Sequence, residues 1–135
     1  MSDKAFLDTT ILVYVVSEGD PRAAVAESLL ADGGYISVQV LNEFAAVGRR
    51  KLKMSWRDIE ETLTAVRALC ESPIALTVSI HDSALKIADR YGYTIYDSMI
   101  LATALSAGCE VLYSEDMQDG QTIEGLTIRN PFRTS

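Results

Sequence analysis

Short apolar runs and longer apolar stripes alternate along the chain, and this alternation sets the expected order of elements. Residues 5–7 read as a short strand, and 11–16 form a β-branched run that propensity alone would also make a strand. Over 21–31 the spacing predicts a helix, with proline in its first turn as helices prefer. Gly33 and Gly34 break the chain ahead of a short strand at 35–37. Residues 38–51 are expected to be helical, and 55–71 carry the strongest helical stripe, built from Ile59, Leu63, Val66, Leu69 and Cys70. Ser55 offers that helix a cap, with Asp58 three residues on. Pro73 stops it, and 74–78 read as strand. Ser79 with Asp82 repeats the capping pattern and opens a helix whose Ile80, Ala84, Ile87 and Tyr91 share a face, closed by Gly92. A last helix is expected over 97–107 with Asp97 at its N-cap, then strands at 111–113 and 126–128.

Strands alternating with helices imply an α/β layer structure with a mainly parallel sheet. A chain of 135 residues, 48% hydrophobic and 23% charged, is expected to form a single globular domain over residues 1–135. The longest apolar run, AFLDTTILVYVV, is interrupted by Asp8 and too short to span a bilayer, so no membrane association is expected. Cys70 and Cys109 are too few for a disulfide scaffold and read as core thiols of a cytoplasmic protein. With His81 the only histidine and no cysteine cluster, a zinc site is not expected, and any metal is expected to be a hard ion held by oxygen. The net charge of −7 argues against non-specific nucleic-acid binding by the surface as a whole. One basic stretch, GRRKLKMSWR, stands against it, where Arg49, Arg50 and Lys51 suit either a helix C-terminus or contact with phosphates.

Ligands of parallel α/β sheets bind at the carboxyl ends of the strands. Asp8 closes the first strand there, Asp116 follows the strand VLY closely, and Asp97 opens the helix that feeds that same strand. Glu43 lies on one helix face with Val40 and Val47, an unusual place for a carboxylate without a partner. Each acid alone has a bland explanation: a turn, a loop, a cap or a stripe edge. Together they favour a shared cause, and a divalent cation is the economical counter-charge.

The segments FLDTTILVY, SVQVLNEF, YDSMILATAL and LYSEDMQDG, in this order, resemble the four acidic blocks of PIN-domain ribonucleases, most closely the VapC-type toxins of bacterial toxin–antitoxin pairs. The resemblance implies a three-layer α/β/α domain with a short, mainly parallel central sheet. It makes Asp8, Glu43, Asp97 and Asp116 the acidic site, flanked by Thr10 and Ser114, with Asp119 as an auxiliary acid. It also implies that 11–16 are helical, against their propensity, and that reading is followed here. Thr10 stands where the family often has asparagine, and the loop MQDGQTIEG gives Asp119 no firm place.

The expected activity is a Mg²⁺- or Mn²⁺-dependent endoribonuclease leaving 5′-phosphate and 3′-hydroxyl ends. Asp8, Asp97 and Asp116 would bind the ion, while Glu43 orients the attacking water or helps hold a second ion. RNA, a cognate antitoxin and a second copy of the chain are the partners the resemblance implies. Two rival classes share some features. Haloacid-dehalogenase-like phosphatases use a nucleophilic aspartate followed two residues on by another, where this chain has Thr10, and receivers need an acceptor aspartate where it offers IALTV. A non-catalytic PIN-like module binding RNA or protein would not need four intact acids.

Overall fold

The computed structural model describes residues 4–133. Its elements run β1 (Ala5–Leu7), α1 (Thr9–Val15), α2 (Arg22–Ala31), α3 (Val38–Arg50), α4 (Trp56–Leu69), α5 (Val78–Tyr91), α6 (Ile95–Ser106), β2 (Val111–Tyr113), β3 (Thr122–Ile123) and β4 (Leu126–Arg129). The sheet order is β1-β2-β4-β3, with β1, β2 and β4 mutually parallel and only β3 antiparallel. Beyond β1 the sheet continues through single parallel bridges, Phe6 to Tyr35 and Ser37 to Ile74. Helices cover the sheet on both sides, a three-layer α/β/α arrangement. α5 packs mainly on α6, and α1 on α2 and α3.

The run after β1 is helical, and burial explains why. Ile11 and Leu12 are both fully buried on α1, so packing overrides their β-branched neighbours. Asp8 caps this helix, accepting from the Thr9 N–H. α6 is different in kind from the amphipathic helices α3, α4 and α5, because residues 98–104 are buried without interruption. Phe6, Leu7, Leu112, Ile100, Leu101 and Phe44 meet in one core, each worth about 1.5–3 kcal/mol when fully buried.

Several expected boundaries move. The strands at 35–37 and 74–78 shrink to one-residue bridges, and Val78 already belongs to α5. The cap of α5 is Thr77, whose hydroxyl accepts from the Ile80 N–H, so Ser79 lies inside the helix. Leu69, placed on the buried stripe of α4, is exposed. A strand absent from the expectation, β3, pairs with β4 through a two-residue turn in which Glu124 and Gly125 both have positive φ (47° and 92°). That is the geometry two-residue hairpins require, and glycine accepts it without strain. His81 is exposed and takes no part in the core.

Candidate active site

Parallel pairing of β1 with β2 sets Leu7 beside Tyr113, so the residues that follow both strands emerge side by side at one edge of the sheet. Asp8 and Ser114 meet there. The Ser114 hydroxyl donates to Asp8 Oδ2 at 2.6 Å, and the Thr9 N–H donates to Oδ1 at 2.7 Å. Asp8 is only 3% exposed. Burial, more than the nearby Asp97 and Glu43 carboxylates, pushes its pKa up to about 7, against the lowering effect of Ser114 and Thr9. Ser114 also accepts from the Asp116 N–H at 3.2 Å, which ties the following loop to the same anchor. Thr10 takes the next position, its hydroxyl accepting from the Glu115 N–H at 3.2 Å.

Glu43 reaches the site from α3. Both of its oxygens are engaged, Oε1 by the Thr9 hydroxyl at 2.8 Å and Oε2 by the Gln39 amide at 2.5 Å. Gln39 lies one helical turn before Glu43, a pairing that helix geometry permits. The acid on the stripe therefore has neutral hydrogen-bond partners.

Asp97 enters from α6, and the expected cap is corrected. Thr94 is the N-cap, accepting from the Asp97 N–H at 3.1 Å, and Asp97 stands in the first turn. Its carboxyl is half-buried and raised above the usual carboxylate range, first by burial and then by Glu43 and Asp116. Asp116 itself is exposed at the mouth. The four acids line one cleft of about 830 Å³, together with Thr9, Thr10, Tyr14, Gln39, Asn42, Tyr96, Glu115 and, on the rim, Arg50 and Lys51.

Two further residues named from the sequence lie elsewhere. Asp119 is turned to the C-terminal segment, accepting from the Asn130 N–H at 2.8 Å and pairing with Arg133 at 3.4 Å. Arg49 lies over the Trp56 ring and donates to the Met54 carbonyl. It therefore separates from Arg50 and Lys51. Sequence reasoning also missed a clamp behind the cleft. The Tyr14 hydroxyl and Arg22 each hold one oxygen of Glu115, while Arg22 pairs with Asp20 at 2.8 Å and lies over the Tyr14 ring. Burial, with Glu115 next, pushes the Tyr14 hydroxyl up to about 12. Glu115, the fifth acid of the cleft, thus has its own counter-charge, whereas Asp8 and Asp97 have none among the described residues.

Among the described residues no three acidic, cysteine or histidine side chains are gathered into a ready-made metal shell. The donor set still fits a hard divalent ion: every available ligand is oxygen, Asp8, Glu43, Asp97 and Asp116 form no ion pair among the described residues, and Mg²⁺ needs few protein ligands because it keeps several waters. Both oxygens of Asp8 already accept hydrogen bonds on the floor of the cleft, an anchored arrangement that does not suit a nucleophile.

The PIN domain profile matches residues 5–118, and the chain belongs to the PIN domain family. Among curated proteins no sequence matches it significantly. Solved structures share the fold at low identity. VapC20 of Mycobacterium tuberculosis, described as a sarcin-ricin loop cleaving toxin, is 22% identical with a TM-score of 0.67, over 84% of this chain and 90% of that one. A toxin–antitoxin complex from Klebsiella pneumoniae contains a chain 21% identical with a TM-score of 0.72, over 97% of this chain and all of that one (100%). VapBC2 from Rickettsia felis, bound to a DNA fragment from its promoter, gives 20% identity and a TM-score of 0.67, over 93% and 97%.

Proposed function

We propose that the protein is a metal-dependent endoribonuclease and the toxin of a toxin–antitoxin pair. The observation that carries the reading is the convergence of Asp8, Glu43, Asp97 and Asp116, from four separate parts of the chain, on one cleft at the carboxyl ends of parallel strands. Membership of the PIN family and the likeness to VapC toxins support it.

In this reading Asp8, Asp97 and Asp116 hold a divalent ion, Mg²⁺ or Mn²⁺. Bound there, such an ion supplies counter-charge for phosphoryl oxygens and lowers the pKa of its water. Glu43, oriented by Thr9 and Gln39, takes the proton of the attacking water. In-line attack on phosphorus breaks the bond to the 3′ oxygen and leaves a 5′-phosphate and a 3′-hydroxyl. Ser114 fixes Asp8 and the Asp116 loop together, and Arg50 and Lys51 meet the phosphates of the strand at the rim. The protein acts as a homodimer, and its antitoxin silences the cleft by inserting an arginine or lysine among the acids.

Incubation with mixed cellular RNA, with and without Mg²⁺, beside an Asp97→Asn control, tests the reading. Cleavage is expected only in the wild type with metal, and the cognate antitoxin should suppress it. Absence of any cleavage across divalent ions would leave a binding module as the better account.

A further inference from the structure

Of the acids lining the cleft, Glu115 alone is ion-paired among the described residues, and it stands between two residues of the site, Ser114 and Asp116. Its Oε1 takes the Tyr14 hydroxyl and its Oε2 takes Arg22. Both of these partners are themselves fixed. Arg22 donates from Nε and Nη2 to Asp20 at 3.0 and 2.8 Å, and from Nη1 to Glu115 at 3.2 Å. Its guanidinium carbon lies over the Tyr14 ring, 4.2 Å from the centroid, and Phe132 meets that ring edge-on with centroids 4.8 Å apart. Side chains from α1, the turn before α2, α2 itself and the C-terminal segment thus converge on one carboxylate.

The residue after it is the one that needs support. The Asp116 carboxylate is exposed and has no side-chain partner among the described residues, so its place is set by its backbone. Ser114 and Met117 are buried on either side, which leaves Glu115 and Asp116 as the accessible residues between them. Two hydrogen bonds hold their peptide groups, from the Glu115 N–H to the Thr10 hydroxyl and from the Asp116 N–H to the Ser114 hydroxyl, both at 3.2 Å. The grip of Arg22 on the Glu115 side chain adds a tether from a different element, α2. An ion held by few protein ligands needs each of them in place, and the partners standing behind a ligand are commonly worth roughly 10–100-fold in metal affinity.

We infer that Tyr14 and Arg22, acting through Glu115, are positioning residues for Asp116, setting its carboxylate where it can share a divalent ion with Asp8 and Asp97. The inference rests on the metal-dependent reading above and adds to it the part of the chain that orders the exposed ligand. Positioning also differs in sign from simple electrostatics. Removing the Arg22 cation makes the cleft more negative and, by Coulomb attraction alone, favours a bound cation, whereas removing the Glu115 anion disfavours it. Positioning makes both losses unfavourable.

The test reads Mn²⁺ binding to the full chain without RNA, from the loss of the free-ion electron paramagnetic resonance signal. Arg22→Ala and Glu115→Ala should each bind Mn²⁺ roughly ten-fold more weakly than wild type. Tyr14→Phe, which changes no charge, should shift affinity in the same direction. The double variant Arg22→Ala with Glu115→Ala should be no weaker than Glu115→Ala alone, because both changes act through one carboxylate. Arg57→Ala, which breaks an exposed pair with Glu61, should match wild type. Circular dichroism checks that each variant is folded at the temperature of measurement, and Arg22→Gln carries the same expectation should Arg22→Ala fail to fold. Tighter Mn²⁺ binding in Arg22→Ala would reduce the clamp to a counter-charge and overturn the inference. Wild-type affinity in Arg22→Ala and Glu115→Ala would overturn it as well, with the nuclease reading left standing. If the variants weaken Mn²⁺ binding as expected but wild type cuts no RNA, the nuclease reading fails and the positioning holds. A wild type that binds no Mn²⁺ overturns both.

Discussion

At the bottom of the cleft Asp8 is 3% exposed and both its oxygens accept hydrogen bonds, from Ser114 and from the Thr9 backbone. At the mouth Asp116 stands in solvent, and among the described residues its carboxylate has no side-chain partner. The two acids belong to one site and are built on opposite terms. Burial fixes Asp8 in place at the expense of its charge, since low dielectric favours the neutral carboxyl and lifts it to about 7. Exposure leaves the Asp116 carboxylate in water and screened by salt. The floor is therefore expected to be sensitive to single atoms, and the rim to be sensitive to salt.

Asp97 lies between the two, and its removal should have the largest effect. Asp97→Asn should lower RNA cleavage by on the order of 100-fold or more. The metal-free variant should be as stable as wild type or up to roughly 1 kcal/mol more stable, because one member of a like-charged group is gone. Melting temperature with and without Mn²⁺ checks this: the metal-induced rise seen in wild type should largely vanish. An equal rise in both proteins would reduce Asp97 to a first-turn acid favoured by the helix dipole.

Ser114→Ala tests the floor with the loss of one oxygen atom. It strips a donor from a buried carboxylate, and about 1–3 kcal/mol of stability should go at about pH 8 without metal. The cost should shrink at about pH 5, where Asp8 is protonated and needs the donor less. The direction follows from the raised pKa of the folded state. The native protein binds the Asp8 proton more tightly than the unfolded chain does, so this carboxyl's contribution to stability falls as pH climbs from about 4 to about 7 and then levels off. Denaturant unfolding of both proteins at the two pH values gives the comparison. A cost independent of pH would sever Ser114 from the charge on Asp8.

The rim should respond least in stability and most clearly in salt. Arg50→Ala with Lys51→Ala should change folding by less than about 0.5 kcal/mol. The slope of RNA affinity against salt should become shallower by roughly one to two charges. Arg49→Ala, which loses its place over Trp56, should leave that slope unchanged. If Arg49 flattens the slope as much as Arg50 does, the division between them is wrong.

The floor was more legible in the sequence than the rim. Asp8 ends the first strand, where an apolar run meets a polar residue, while Ser114 at the end of the neighbouring strand was supplied by the family resemblance. Glu43 was visible because it interrupts an apolar stripe, and its partner Gln39 was available at the same helical spacing. The capping of α6 was misassigned to Asp97, although Thr94 precedes it by three residues in a capping pattern of its own. Two candidate caps three residues apart compete for one helix start, and periodicity alone does not choose between them. Arg49 is taken up close by in the chain, by the Met54 carbonyl and the Trp56 ring, whereas Asp119 and the Glu115 clamp depend on contacts between separated segments, such as Tyr14 with Glu115 and Asp119 with Arg133. No local pattern encodes such contacts. The family resemblance also supplied the helix at 11–16, where propensity favoured a strand and burial of Ile11 and Leu12 decided otherwise.

The pairing of β1 with β2 joins Ala5 to Val111, so the floor of the cleft closes a loop of about a hundred residues. Contacts of such long range form late in folding, after the local helices, and they slow it. During synthesis Asp8 is made 106 residues before Ser114, which holds its carboxylate, and before Asp116 beside it. On the nuclease reading proposed above, a chain that stops short of Ser114 and Asp116 is expected to be inert. In that reading the order of residues along the chain is also a delay in time: the candidate site comes together only after the segment between its two halves has been made.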